Sequence, residues 1–286
     1  MTKAIAAIDL GTNTFNLLIA EPVSGGIGRI LFAEEIPVKL GEGGINQGYI
    51  APEAYDRGLE TMLRIRNVID RHQPDLVLAC ATSAIRSAAN GADFMASVLR
   101  ETGIAIQVID GNREAELIYL GVRAALSLER RTLIMDIGGG SVEFILCDQV
   151  RIHWKKSYPI GAARLRERYH RTDPVSPETL TALHDHLEAE LADLLETCKT
   201  FAPEQLVGSA GAFETYHSII SRGRLTALVS AAAFDDAKLN EVLTMLVGST
   251  REERENMPGL AAFRVDMIVM ASALTRFILQ KTGISR

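Results

Sequence analysis

The sequence predicts an α/β protein made of two related lobes, each of which begins with a β-hairpin. Residues 9–19 align without a gap with residues 136–146, so that an acid, a glycine and a hydroxyl coincide. The coinciding pairs are Asp9 with Asp136, Gly11 with Gly138, and Thr14 with Ser141. Apolar runs of strand length also alternate with amphipathic runs of helix length along the chain. The length of 286 residues suits two domains with a core each. A repeat this far apart indicates two lobes, which we place at residues 1–128 and 129–286.

The first lobe is predicted to open with three consecutive strands and to continue with alternating helices and strands. Glycine-containing turns separate the first strands, and Pro52 stands at the favoured first position of the helix that follows. The predicted strands are 3–9, 15–21, 27–37, 76–81 and 104–109, and the predicted helices are 52–71, 92–102 and 113 to about 128.

The second lobe is also predicted to begin with three strands, and it then becomes mainly helical. Ser176 is expected to cap a long helix over residues 177–201. The other predicted elements are the central hairpin within 133–145, a strand at 149–159, a helix that begins at 161, a short strand at 206–207, and helices at 212–221 and 235–250. The last helix, residues 264–281, has two candidate placements: in the second lobe, or packed back on the first.

Composition narrows the class of protein. A net charge of -6 and a pI near 5.6 argue against bulk attraction of nucleic acid. No apolar run approaches the ~20 residues of a membrane span, and no signal peptide is evident, so we predict a cytoplasmic protein without membrane contact. The three widely spaced cysteines, Cys80, Cys147 and Cys198, argue against a disulfide framework or a zinc site.

The central motif carries the clearest chemistry. Asp136 precedes a turn of three glycines, residues 138–140, and Ser141 and Glu143 follow it. Glycines let a ligand approach the backbone N–H groups, which form an anion site. Two carboxylates beside such a site suit Mg²⁺, which takes one or two carboxylates together with phosphate oxygens and water. The alternative is a glycine-rich hairpin that only turns the chain.

Other candidate residues are less specific. Arg86 follows a strand end, where open α/β sheets place ligand groups, although a surface arginine is the ordinary alternative. Glu114 lies in the first turn of a helix, where acids are common in any case. The glycine-rich turn at 208–211 precedes a helix and can bind a phosphate. Arg164 and Arg168 share a helix face that is either a basic wall for a polyanion or an ordinary solvated face.

Together these motifs resemble the Ppx/GppA family of exopolyphosphatases and guanosine pentaphosphate phosphohydrolases. The matching stretches are 9–14, 81–90, 111–119, 136–143, 208–211, and 258–260 with Arg264 and Asp266. The resemblance implies the short two-domain form of the family, with two ribonuclease-H-like lobes of the actin/hexokinase/Hsp70 superfamily and an interlobe cleft. Each such lobe has a sheet of three antiparallel and two parallel strands.

The resemblance also implies roles for individual residues. It makes Glu114 the general base, with Arg86 beside it in the catalytic group. It makes Asp9, Asp136 and Glu143 ligands of Mg²⁺ or another divalent cation. The implied phosphate-binding residues are Thr12, Asn13, Thr14, Gly138, Gly139, Gly140, Ser141, Gly208, Ser209 and Gly211.

The predicted activity is therefore release of the terminal phosphate of inorganic polyphosphate, or of the 5′ γ-phosphate of guanosine pentaphosphate in the stringent response. A homodimer is also predicted. Two alternatives stay open. One is a phosphotransferase like the acetate or sugar kinases, and the other is a non-enzymatic interaction protein gated by nucleotide. The acid set formed by Glu114, Asp136 and Glu143 argues against the second.

Overall fold

Two β-sheets organise the chain, in a computed structural model that describes residues 4–23, 26–223 and 231–284. Contacts within the chain divide the described residues into two units. The first unit comprises those up to Glu114 together with Gly138–Gly140. The second comprises Ala115–Ile137 together with those from Ser141 onward. The helix that follows residue 110 is divided between the units. The domain boundary at residue 128 therefore stays a prediction.

The first unit follows the predicted order of elements, with one short helix added. Its strands are β1 (Ile5–Leu10), β2 (Thr14–Val23), β3 (Gly26–Pro37), β4 (Leu76–Ala81) and β5 (Ile106–Val108). Its helices are α1 (Pro52–His72), α2 (Ser83–Ser87) and α3 (Gly91–Thr102), followed by the start of α4 (Gly111–Ala125). Sequence periodicity missed α2 because five residues do not complete two turns of a repeating pattern.

The first sheet has the strand order β3-β2-β1-β4-β5. β1 and β3 each pair antiparallel with β2, while β4 pairs parallel with both β1 and β5. These are the three antiparallel and two parallel strands that the family resemblance implies. Helices α1 and α3 cover one face of this sheet and complete its apolar core, where Phe15, Met62 and Phe94 are fully buried.

The second unit contains the rest of α4 and most of the helices. Its strands are β6 (Thr132–Ile137), β7 (Val142–Cys147), β8 (Ile152–Tyr158) and β9 (Gln205–Ser209). Its other helices are α5 (Ala162–Tyr169), α6 (Pro177–Glu190), α7 (Ala192–Phe201), α8 (Gly211–Ile220), α9 (Asp236–Gly248), α10 (Arg251–Glu255) and α11 (Ile268–Thr282), with a 3-10 turn at Ala262–Arg264.

The second sheet has the order β8-β7-β6-β9. β7 pairs antiparallel with β6 and β8, and β9 pairs parallel with β6. Strands β8, β7, β6 and β9 thus correspond in order and direction to β3, β2, β1 and β4 of the first sheet. Within residues 4–23, 26–223 and 231–284, no fifth strand joins the second sheet, so β9 is its edge.

Helices cover both faces of the second sheet. One face packs against α4, with Ile134, Ile145 and Val207 in that cluster. The other face packs against α5 to α9 and α11. Helix α11 is apolar on nearly all sides and fully buried at Leu274 and Ile278, so it lies in the core of the second unit. Of the two placements considered from the sequence, the structure shows the one in the second lobe.

The helix predicted over residues 177–201 is two helices in the structure. Ser176 caps it as expected, since its hydroxyl accepts a hydrogen bond from the Thr179 N–H at 3.2 Å. The break falls at Leu191, whose φ of -100° and ψ of 13° depart from helical values. Leu191 is nevertheless buried and keeps its hydrogen bond to the Leu187 carbonyl. The apolar spacing therefore runs through the break and cannot reveal it.

The described residues include no helix that is both long enough and apolar enough to cross a membrane. Cys80, Cys147 and Cys198, the three cysteines of the sequence, are all free thiols. Burial raises the pKa of Cys147 to about 12 and that of Cys198 to about 11, so both thiols are neutral at pH 7.

A buried arginine anchors the segment between α9 and α11. Arg254 is 1% exposed, and its guanidinium donates to the carbonyls of Ser249 and Val265 and to the carboxylate of Asp173. The donation to Val265 measures 3.0 Å. Because a buried cation is costly unless it is paired and hydrogen-bonded, these partners are required for Arg254 to lie there.

We expect Arg254→Met to destabilise the protein by about 1 to 3 kcal/mol, because the methionine fills similar space but leaves two buried carbonyls without their donor. Urea unfolding measures the loss. Arg251→Met is the matched control, since Arg251 is 58% exposed and forms surface ion pairs. Equal stability of the two variants would show that the buried network contributes nothing.

Candidate active site

The hairpin β6–β7 places two carboxylates opposite each other. Asp136 pairs with Glu143 in the antiparallel register, so their side chains share one face of the sheet. The register continues outward to Ser209 on β9 and to Ser157 on β8. Four polar residues therefore form a continuous row across the second sheet, which we call the second-unit row: Ser157, Glu143, Asp136 and Ser209.

The two serines act on the two acids. Glu143 is 1% exposed and accepts a hydrogen bond from the Ser157 hydroxyl at 2.6 Å. Burial raises the pKa of Asp136, while a hydrogen bond from Ser209 acts against that rise. The environment of Asp136 thus disfavours its charge, which a bound cation or a hydrogen-bond donor relieves.

This pair fits a divalent cation of the Mg²⁺ type. No group of three or more His, Cys, Asp or Glu side chains within the described ranges is arranged to hold a metal ion. Mg²⁺ does not need such a group, because it keeps several waters and binds one or two carboxylates together with substrate phosphates. Asp136 and Glu143 supply two such carboxylates.

The first unit carries a corresponding row in which the two acids are not adjacent. Asp9 on β1 pairs with Asn16 on β2 and with Cys80 on β4, and Asn16 pairs in turn with Glu35 on β3. The Asn16 amide donates to the Asp9 carboxylate at 3.4 Å. Burial, and then the charge of Asp9, raise the pKa of the Cys80 thiol. Asp9 thus has an amide and a neutral thiol beside it, where Asp136 has a carboxylate and a hydroxyl.

The glycine turn, residues 138–140, belongs to the first unit and lies close to Thr12 and Ser83. A Cβ at Gly140 would lie 2.6 Å from the hydroxyls of both Thr12 and Ser83, and one at Gly139 would lie 3.0 Å from the Cβ of Thr12. Only glycine fits at such distances. The structure therefore places Thr12 beside the glycine turn, and it adds Ser83, which the sequence did not single out.

Two buried polar atoms in this region have no hydrogen-bond partner: the hydroxyl oxygen of Thr12 and the amide carbonyl oxygen of Asn13. Thr12 is only 4% exposed. Buried polar atoms nearly always have a partner, so each exception calls for an explanation such as a ligand or water. Thr14, the third residue of the predicted phosphate group here, begins β2 and is partly buried.

The predicted base and arginine are in contact. Arg86, in α2, donates to the Glu114 carboxylate at 3.0 Å and to the Ile109 carbonyl at 2.8 Å. Their side chains are 25% and 15% exposed. The first turn of α4 places Glu114, since the Asp110 carboxylate accepts the Arg113 N–H at 2.8 Å as a cap. The guanidinium thus fixes the orientation of a carboxylate that stays accessible.

The turn at residues 208–211 has packing reasons for its glycines. A Cβ at Gly208 would lie 2.0 Å from the Phe213 ring, and one at Gly211 would lie 2.5 Å from the Arg264 guanidinium. Arg264 also donates to the Gly211 carbonyl and, at 3.1 Å, to the Thr215 hydroxyl. Close packing therefore accounts for both glycines, and phosphate binding at this turn stays a prediction. Ser209, one of the predicted phosphate-binding residues, donates a hydrogen bond to Asp136.

Ser157 is the residue that sequence reasoning missed. Fourteen positions separate it from Glu143 in the chain, and only the register of β7 with β8 brings them together. The sequence does predict that both residues lie in consecutive strands. Without the register of those strands, however, it does not identify which residue lies opposite Glu143.

Fold and site together define a class: two-unit α/β proteins whose sheets start with a strand that ends in a carboxylate beside a glycine turn. Within that class, the chain belongs to the Ppx/GppA phosphatase family, whose sequence model matches residues 18–281. This confirms the resemblance inferred from the motifs. Membership of a phosphatase family supports hydrolase activity.

Individual relatives agree. The crystal structure of an exopolyphosphatase from Cytophaga hutchinsonii is 38% identical and superposes with a TM-score of 0.92, covering 99% of this chain and 92% of that chain. Exopolyphosphatase 2 of Mycobacterium tuberculosis is 30% identical over 99% of this chain and 93% of that protein. A Ppx/GppA family member from Aquifex aeolicus, at 22% identity, covers 99% of this chain and 92% of that chain and shares the fold with a TM-score of 0.79.

We expect Asp136→Asn to raise the Tm at pH 7 by a few degrees in the absence of divalent cations. Burial holds the folded-state pKa of Asp136 above its ordinary value of 3.8. Its ionisation therefore costs stability as the pH rises, and the gain from asparagine should shrink as the pH falls towards 4. A change of about 1 kcal/mol shifts the Tm of a chain this size by about 2–4 °C. Added Mg²⁺ should stabilise the wild type more than this variant.

Asp148→Asn is the control with the opposite sign. The hydrogen bond with His153, together with backbone donors, lowers the pKa of Asp148 to about 2. Its charge therefore stabilises the fold above that pH, and the variant should lose stability at pH 7. An Asp136→Asn variant that is less stable than wild type at pH 7 would contradict the assignment.

Proposed function

We propose that this protein is a metal-assisted phosphohydrolase that releases the terminal phosphate of inorganic polyphosphate or the 5′ γ-phosphate of guanosine pentaphosphate. One observation carries the proposal: the hydroxyl of Thr12 is buried without a partner beside the backbone of Gly139 and Gly140. A phosphate oxygen is an acceptor that suits both this hydroxyl and the N–H groups of a glycine turn.

The chain supplies the remaining parts of a hydrolytic site. Asp136 and Glu143 would hold the divalent cation, which supplies charge neutralisation at the phosphate oxygens when bound. Glu114 would take the proton of the attacking water at a carboxylate oxygen, in the role of general base. Arg86 would keep that carboxylate oriented through their 3.0 Å contact.

The substrate proposal rests on what the two candidates share and on the relatives. Polyphosphate and guanosine pentaphosphate each end in a phosphoanhydride, so one site suits both. The relatives from Cytophaga hutchinsonii and Mycobacterium tuberculosis are described as exopolyphosphatases, which favours polyphosphate. The homodimer, the cytoplasmic location and a part in the stringent response stay predictions.

Phosphate release by the purified protein tests the proposal, with polyphosphate and guanosine pentaphosphate offered separately, with and without Mg²⁺. We expect release from at least one substrate and a marked dependence on Mg²⁺. Formation of ADP from ATP only when acetate or a sugar is added would favour the kinase alternative. Absence of turnover on every substrate would contradict the proposal.

We expect Glu114→Gln to lower kcat by about 10²–10⁴-fold, the usual contribution of a general base, with the Tm little changed. The amide keeps the shape of the side chain and a hydrogen bond to Arg86 but cannot accept the proton. Glu116→Gln is the matched control, because Glu116 lies two residues along α4 and pairs with Lys155. A Glu114→Gln rate within about tenfold of wild type would show that another group is the base.

Helix α5 is a candidate contact for long polyphosphate. Arg164 is partly buried and Arg168 is exposed, with its guanidinium over the Tyr169 ring at 5.3 Å from the centroid. Arg166, on the same helix, is paired with Asp266 at 3.6 Å. The proposed contact is the i, i+4 pair of Arg164 and Arg168.

Replacing Arg164 and Arg168 together with serine should raise KM for long polyphosphate more than for short chains, because only long chains would reach α5. Salt screens such contacts, so the difference should narrow at high ionic strength. The double variant Arg29→Ser with Arg100→Ser, at exposed ion pairs in the first unit, removes the same charge elsewhere. An equal effect on all chain lengths would mean that this face is only solvated.

A further inference from the structure

The connection from β3 to α1 is long but well anchored. Residues 38–51, all of which the structure describes, contain neither a helix nor a strand. Connections of this length without secondary structure are usually either functional or disordered. Here Val38, Leu40 and Ile45 bury their side chains in the apolar core of the first unit. We call residues 38–45 the supporting loop, because of the contacts that follow.

The supporting loop is hydrogen-bonded to the turn that carries Thr12 and Asn13. The N–H groups of Val38 and Lys39 both donate to the backbone carbonyl of Asn13, at 2.9 and 2.8 Å. The Gly41 N–H donates to the backbone carbonyl of Thr12 at 3.0 Å. The loop therefore holds the backbone of the two residues whose side-chain oxygens are buried without a partner.

Packing by the same loop orients the Thr12 side chain. A Cβ at Gly41 would lie 2.5 Å from the methyl group of Thr12, whereas a Cβ at Gly140 would lie 2.6 Å from its hydroxyl. The methyl and the hydroxyl thus face two different glycines. Because a β-branched side chain is stiff at χ1, the close approach of Gly41 keeps the hydroxyl directed at the glycine turn.

Arg57 of α1 holds the supporting loop in turn. Its guanidinium donates to the carbonyls of Val38 and Lys39, at 3.0 and 3.1 Å, and to the Glu42 carboxylate at 3.0 Å. Residues 38 and 39 therefore each donate to Asn13 and accept from Arg57. The planar guanidinium presents its donors in a fixed geometry, which the ammonium group of a lysine does not reproduce.

The backbone of Lys39 shows how closely these contacts determine the loop. Its φ of 51° lies in the left-handed region, which residues other than glycine rarely adopt. Such a conformation costs free energy and persists only where the surrounding contacts determine it. The bond from its N–H to Asn13 and the bond from Arg57 to its carbonyl are contacts of this kind. Loss of Arg57 would therefore relax the loop at Lys39.

We propose that Arg57 is a positioning residue for the terminal phosphate of the substrate. Arg57 bonds the supporting loop, and the loop fixes the backbone of Thr12 and Asn13 and the direction of the Thr12 hydroxyl. In this role Arg57 acts through the loop and does not contact the phosphate. The inference rests on the proposed function, in which that hydroxyl donates to a phosphate oxygen.

The variants Arg57→Lys and Arg57→Gln test this role in phosphate release from polyphosphate. A misplacement of about 1 Å costs on the order of 10²-fold in rate, so we expect kcat to fall by about tenfold to 10²-fold. KM should change less, because Thr12 would contact the reacting phosphate and not the rest of the chain. The matched controls are Arg64→Lys and Arg64→Gln, since Arg64 lies on the same helix in an exposed ion pair with Glu34. All rates are measured well below the Tm of each variant, so that loss of folded protein does not contribute.

A double-mutant cycle shows whether Arg57 acts through Thr12. Thr12→Val removes the hydroxyl and keeps the shape of the side chain. Residues that act in one network have non-additive effects. We therefore expect Arg57→Gln to lower kcat by less than threefold when Thr12→Val is already present. The same factor in both backgrounds, or an Arg57→Gln variant with kcat within twofold of wild type, would overturn the proposal.

Amide hydrogen exchange tests the positioning without activity. In Arg57→Gln we expect exchange of the Val38 and Lys39 amides to be at least fivefold faster, because their bonds to Asn13 open more often. Arg64→Gln should leave these amides as they are in the wild type. Unchanged exchange in Arg57→Gln would overturn the positioning role. Absence of phosphate release by the wild type would instead contradict the proposed function, so the two failures are distinguishable.

Discussion

The site depends on one constraint, the register in which β6 pairs with β7. That register sets Asp136 opposite Glu143, and a slip of one residue would turn one acid to the other face. Apolar packing on both sides fixes it, since Met135 and Phe144 are fully buried against one layer and Ile134 and Ile145 against the other. Burial is costly for the acids, and the hydrogen bonds from Ser157 and Ser209 offset part of that cost. The core thus determines where two carboxylates meet.

The same hairpin register occurs in both units, but different residues lie opposite the acid. In the first unit the partners of Asp9 are Asn16 and Cys80, which are neutral at pH 7 and bring no second negative charge next to it. In the second unit the partners of Asp136 are Glu143 and Ser209. Two adjacent carboxylates repel each other unless a cation or a proton lies between them. The same backbone frame therefore sets two carboxylates side by side in one unit and separates them by Asn16 in the other.

Local signals in the sequence predicted most of the elements, and the register of distant strands decided the rest. The proline that begins α1, the cap at Ser176 and the hairpin turns depend on neighbouring residues, so they could be predicted from short stretches. The contact of Ser157 with Glu143 depends on strand pairing. The burial of Arg254 depends on three acceptors contributed by separate segments. The glycines of residues 208–211 suggested phosphate binding, yet Phe213 and Arg264 occupy the space that side chains would need. A glycine pattern alone cannot distinguish approach of a ligand from approach of a side chain.

The two sheets share the elements that position the acids and differ in their outer strand. Both sheets keep the acid at the end of the first strand, the hairpin that follows and the parallel strand beside it. They differ at the outer position, which β5 fills in the first sheet, whereas β9 is the edge of the second sheet within the described residues. Ser209 lies on that edge strand and contacts Asp136. The pairing of β9 with β6 therefore sets both the edge of the second sheet and the environment of Asp136, so the packing of that strand and the electrostatics of the candidate site are physically linked.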